Sequence, residues 1–322
     1  MGLEGNNVHY IRKPEQIIEI LGEKPNVLAI EYDMAHGDVL RLQSVFSGAS
    51  FVNASAILRM VRSVKSPFEV NLMKQSGEKH AEAYKSIPSF FNEGMSDVEF
   101  QIDLEQCLRK TGCLGIFRIS GQSMELFMGN ILAGDNADNP APYDFAMGGA
   151  GADQSLPVGA NGTASKKGMS LMVDACGNFT GYMTDMTRSF KVGEVGDLAE
   201  KAHRCSIEIC RAFCEKAKPG VAAKDMYDMA ANMASEAGLE AYFMGHMQKA
   251  GFVGHGVGIE INELPVLSAR SKDIFVEGNV IALEPKFVIP GVGAVGIENT
   301  YVITADGAEC ITVLNEELQQ LL

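Results

Sequence analysis

The chain has 322 residues, 46% of them hydrophobic, and a formal charge of -14. That is apolar material for one large domain and a smaller one. The acidic balance argues against non-specific grip on nucleic acid or an anionic membrane. No run approaches the roughly 18 consecutive apolar residues of a membrane span, and the opening MGLEGNNVHYIRKPEQ has no apolar signal core. Seven scattered cysteines without paired motifs read as reduced thiols of a cytoplasmic protein. Cys205, Cys210 and Cys214 fall at helical spacing, which suits core packing.

Residues 25–61 alternate short apolar runs with polar turns and read as strand, helix, strand, helix. At about 60 residues this segment is thin for an independent domain. The expected division is a partial N-terminal α/β domain over 1–62 and a larger domain over 63–322. Pro67 and Glu69 open a helix, and Ser96 with Glu99 forms a capping box for a second, through about Arg109. The Gly-rich stretch 129–163 reads as irregular active-site loop with short strands. Helices are expected over 197–217 and 222–237, the second with Met226, Met229 and Met233 as a core stripe. The remaining runs (SLMVDACG, YMTDMTRSFKV, GVGIEI, NVIALEPKFVI, AVGIENTYVIT, ECITVL) read as strands. The whole implies an α+β fold: an antiparallel or mixed sheet with helices outside.

Five side chains in this half carry chemistry: Asp174, Asp185, His255, Glu284 and Glu298. Asp174 and Asp185 lie on two strands joined by the GNFTG turn, so a hairpin brings them together. A close carboxylate pair repels unless it is protonated or holds a cation. Alone, either Asp also suits a turn cap. His255 sits between glycines in GHGVG, where backbone approaches closely and a neutral nitrogen is on offer; a lone His also fits a structural role. Glu284 and Glu298 sit inside strand-like apolar runs, which is costly without compensation. Four carboxylates and one imidazole make a hard donor set for two divalent ions, with Mn, Co, Fe or Zn all chemically suitable.

The pattern resembles the pita-bread metallopeptidases of the M24 family: Xaa-Pro aminopeptidase, prolidase, methionine aminopeptidase and the non-metal creatinase. The likeness runs from about residue 62 to the end. The GYxxDxTR text carries Asp185, with Asp174 before it; His255 matches in GHGVG, Glu284 in LEP, Glu298 in IEN, and KSPFE resembles the linker into the catalytic domain. The resemblance implies a pita-bread fold after a shortened N-terminal segment, with a dinuclear centre whose bridging hydroxide attacks the scissile carbonyl. Asp185 and Glu298 would bridge the ions, Asp174 and His255 would complete one side each, and Glu284 would also accept the water's proton. A homodimer is expected from the same likeness.

Two departures stand out. Val158 in Leu156-Pro157-Val158-Gly159 and Asn262 in GIEINELP take the places of two family histidines that contact substrate. A valine side chain donates no hydrogen bond; asparagine donates but cannot shuttle a proton. Losing one oxyanion donor typically costs about 3 kcal/mol of transition-state stabilisation. Gly296 and Ile297 stand where an arginine often precedes the last Glu ligand. His246, Tyr143 and Asp144 are candidate replacements or pocket walls. The leading reading is a metal-dependent Xaa-Pro aminopeptidase or dipeptidase acting on a small peptide or amide. Its alternatives are a metal-dependent hydrolase or lyase of a non-peptide molecule, and a non-catalytic binding protein.

Overall fold

A computed structural model describes residues 8–119, 127–143 and 147–321. The chain divides into two compact units, Met1–Val61 and Arg62–Leu322. The first holds α1 (Glu15–Leu21), β1 (Val27–Ile30), α2 (His36–Val45), β2 (Ser50–Asn53) and most of α3 (Ser55–Ser63). Its two strands pair in parallel, as a strand–helix–strand crossover requires.

In the second unit, α4 (Pro67–Tyr84) and α5 (Asp97–Lys110) each begin with a complete capping box, Ser66 with Glu69 and Ser96 with Glu99. The serine hydroxyl takes one orphan amide and the glutamate takes another, which fixes where each helix starts. Both helices pack on a sheet ordered β13-β5-β4-β3, from β3 (Gly129–Ala133), β4 (Met169–Asn178), β5 (Met183–Val192) and β13 (Gln319–Gln320). All its pairings are antiparallel except β13 with β5.

The amphipathic helices α6 (Asp197–Lys216) and α7 (Ala223–Glu236) bury Phe213, Ile209, Met226 and Ala230 in a second core, where Met229 and Met233 also pack. That core backs a sheet ordered β12-β11-β8-β6-β7. Its members are β6 (Phe252–Gly256), β7 (Glu263–Ser268), β8 (Val280–Leu283), β11 (Asn299–Ile303) and β12 (Ala308–Cys310). A two-stranded ribbon, β9 (Lys286–Ile289) with β10 (Gly293–Gly296), continues from β8 and returns to β11.

Three apolar runs differ from their simple strand reading. NVIALEPKFVI breaks at Glu284-Pro285 and AVGIENTYVIT breaks at Ile297-Glu298, so each run is two strands in different sheets. Proline lacks the amide a continuous ladder needs. Opposite it, Gly296 adopts φ +131°, and a Cβ there would press on the Pro285 carbonyl. The third run, GVGIEI, is the connection between β6 and β7, not a strand. There the Glu263 carboxylate accepts from the Ile259 and Glu260 amides, satisfying in a turn the groups a ladder would have used.

Candidate metal centre

The β4–β5 hairpin aligns Asp174 with Thr187 and Cys176 with Asp185, which puts the two aspartates diagonally on one face. His255 lies on β6 between Gly254 and Gly256. A Cβ on either glycine would run into the backbone of β8 or β7, so the close strand approach that presents the imidazole depends on them. Glu284 and Glu298 sit at the two facing strand breaks. The sheets are tied across this point by the Thr187–Glu298 bridge and by Thr300 Oγ1, which accepts from the Asp185 amide at 2.9 Å.

The five side chains converge. Two triads, Asp185–His255–Glu298 and Asp174–Glu284–Glu298, each offer ligand atoms within 4.8 Å of one another. His255 Nδ1 donates to the Gly256 carbonyl at 3.1 Å, leaving Nε2 as the bare nitrogen. That Nε2 lies 3.5 Å from Glu284 Oε1 and 3.8 Å from Asp185 Oδ2. Ligand bonds of about 2.0–2.2 Å place two atoms on one ion at this separation. Glu298 Oε2 accepts from Thr187 Oγ1 at 2.8 Å, while its Oε1 is fully buried without a hydrogen-bond partner. A buried carboxylate oxygen in that state is suited to ligate a cation. The donors therefore fit divalent metal, with two candidate ion positions.

One residue at the centre was not expected. The fully buried Lys286 Nζ lies 2.7 Å from Asp174 Oδ2, 2.8 Å from Glu284 Oε2 and 3.0 Å from Glu298 Oε2. The sequence signal for it was a lysine set inside the apolar run LEPKFVI. Burial lowers its proton affinity, but the three carboxylates outweigh burial and hold the ammonium well above its ordinary range.

Asp185 and Glu298 are pushed well above the usual carboxylate range, first by burial and then by neighbouring carboxylates, with Lys286 pulling the other way. Raised acids hold protons that the unfolded chain has already released. Metal-free protein thus loses stability as pH climbs above the ordinary carboxylate range. A divalent ion competes with those protons. The rise in Tm on adding Mn2+ should accordingly grow as pH is raised above the ordinary carboxylate range in scanning calorimetry. A gain independent of pH would contradict the shift.

All five residues of the centre line a cavity of about 110 Å³, together with Phe117, Ile119, Phe127, Phe252 and Asn262. Glu263, next to Asn262, is anchored by Lys65 at 2.9 Å and Arg62 at 2.6 Å. Burial works to raise its carboxyl, but these cations outweigh it and hold it below the ordinary value. Val158 is buried and is not among the described residues lining the cavity. His246 sits on Asp138 at 2.9 Å, also outside that lining. Tyr143 lines a separate small pocket with Asp138 and Gln248, and Asp144 lies outside the described residues.

Residues 71–305 match the profile of metallopeptidase family M24. The Xaa-Pro dipeptidase of Pyrococcus horikoshii is 26% identical over 292 residues, covering 90% of this chain and 74% of that protein. That of Pyrococcus furiosus is 26% identical over 308 residues, covering 95% and 79%. The crystal structure of an X-Pro aminopeptidase from Thermotoga maritima superposes with a TM-score of 0.79 at 23% identity, covering 95% of this chain and 78% of that one. The match over most of the chain, with the pita-bread fold and its two candidate metal triads, places this chain in metallopeptidase family M24.

Proposed function

We propose that this M24 protein is a metal-dependent peptidase that hydrolyses short peptides at Xaa-Pro bonds. The observation that carries the reading is the orphaned Glu298 Oε1, in a converging set of acidic ligands and His255 that lines a cavity. The cavity is well below the roughly 300–1,000 Å³ of a drug-sized site, which favours a small substrate group. Its apolar wall, with Phe117, Phe127 and Phe252, suits a compact ring such as proline. The named activities of the relatives support the same bond.

Asp185, His255 and Glu298 would hold a divalent ion. The chemistry such an ion supplies is a water nucleophile at neutral pH and a polarised carbonyl. Glu284, facing His255 in the cavity lining, would accept a proton, and Asn262 would orient substrate with its amide. The identity of the ion as manganese, a homodimer and a cytoplasmic setting belong to the same proposal. The seven unpaired cysteines support a reducing setting. Among the described residues, no helix is long and apolar enough to cross a membrane.

Manganese-loaded protein should release proline from Xaa-Pro dipeptides, chelator should abolish release, and Glu284→Gln should lower kcat by about 10²–10⁴-fold. Steady-state assays over a dipeptide panel check this. Absence of turnover across the panel in metal-loaded protein would sink the peptidase reading. It would favour a non-peptide substrate or a binding role, a reading that Val158 and Lys286 also support.

A further inference from the structure

We propose that Lys286 is the resident second cation of this centre. Its ammonium holds the Asp174–Glu284–Glu298 triad, and the protein binds a single divalent ion on Asp185, His255 and Glu298.

Three observations carry this. First, the three carboxylate oxygens that Lys286 contacts at 2.7, 2.8 and 3.0 Å come from the three members of one candidate triad. An ammonium has three donors, and each one has an acceptor here. Second, the lysine has no exposed alternative. Its side chain is 0% exposed, and its backbone is pinned by pairing with Gly296 and by the Met244 amide on its carbonyl. Vacating the triad would strip a buried ammonium of its three carboxylate partners. Third, the unpartnered oxygen Glu298 Oε1 belongs to a residue shared with the other triad, where His255 Nε2 also faces the Asp185 carboxylate at 3.8 Å. The demand for an ion is on the Asp185–His255–Glu298 side.

The charges agree. The four carboxylates bring up to four negative charges, of which Lys286 with one divalent ion offsets three. Lys286 is absent from the cavity lining, while all five ligand residues, Asp174 and Glu284 included, are on it. Substrate would meet one ion beside two carboxylates, and the lysine would act as a fixed charge behind them, with its three donors already engaged. Lys286 is in this sense a positioning residue.

The inference rests on the metal-centre reading but not on peptide turnover. Metal-free protein is loaded with Mn2+ alone, freed of excess by gel filtration, and assayed for metal content and by electron paramagnetic resonance. Wild type should carry one Mn2+ per chain with the signal of an isolated ion. His255→Ala should lose it. Lys286→Ala should carry two, with the signal of a coupled pair, and the bulky Lys286→Met should stay at one. Two ions or a coupled pair in wild type would overturn the proposal, as would no bound ion. So would a folded Lys286→Ala that stays at one. If Lys286→Ala does not fold, wild type and Lys286→Met decide alone. A wild type with one ion and no peptide turnover refutes the peptidase reading and leaves this inference standing.

Discussion

Glu263→Ala should lower the free energy of unfolding by about 3–5 kcal/mol, the range for removing one partner of a buried ion pair. The Lys65 and Glu263 side chains are 1% and 3% exposed. Without the carboxylate, Lys65 keeps a buried charge with only the weaker pull of Glu69 to offset it or gives up a proton, and burial already pulls its proton affinity down. The Ile259 and Glu260 amides lose their acceptor as well. Urea unfolding followed by circular dichroism measures the loss. The double variant Lys65→Met/Glu263→Leu should recover part of it, because the lone buried ammonium is gone and Arg62 keeps the Glu260 carboxylate at 2.8 Å. If the single and double variants are equally unstable, the ion pair is not the cause. The same loop carries Asn262, so Glu263→Ala should also raise KM through disorder at the cavity rim.

Arg188→Met should be comparably damaging. The arginine is 1% exposed and donates to the carbonyls of Thr187, Glu298, Thr312 and Asn315 and to Asn299 Oδ1. Each buried acceptor left without a donor costs about 1–3 kcal/mol. A loss of about 4 kcal/mol or more is expected after partial relaxation, read from chemical denaturation. Because the Glu298 carbonyl is among the acceptors, Mn2+ affinity should fall about 10–100-fold, as for other residues that support ligands from behind. Unchanged Mn2+ affinity in isothermal titration would show that Glu298 is positioned without Arg188.

The contrast between these residues and the ligands explains what the sequence could reveal. Acidic side chains inside apolar runs, and a histidine between glycines, are locally anomalous. Asp174, Asp185, His255, Glu284 and Glu298 could therefore be picked out by eye, and the structure brings all five together. Helix starts were legible for a similar reason, from Pro67 with Glu69 and from the Ser96–Glu99 box, and the structure adds Ser66 as the cap of the first. Lys286 carried the same local anomaly but lies beyond a strand break. Alternation stops being a guide where Pro285 interrupts the ladder, so its direction could not be followed from Glu284. Phe117 and Phe252 reach the cavity from distant segments and carry no local mark. GVGIEI has strand-like composition, yet Glu263, acting from beyond the run, holds it as a turn.

The facing breaks at Glu284-Pro285 and Ile297-Glu298 have a mechanical consequence. The ladder changes sheets at two opposed points, and both carry a carboxylate to the same spot. Whatever cation lies between them acts as a spacer, setting the angle at which β9 and β10 leave the sheet. Choice among cations then becomes a matter of fit to the gap between the two breaks as well as of ligand softness, and the tethered ammonium of Lys286 spans that gap before any ion arrives.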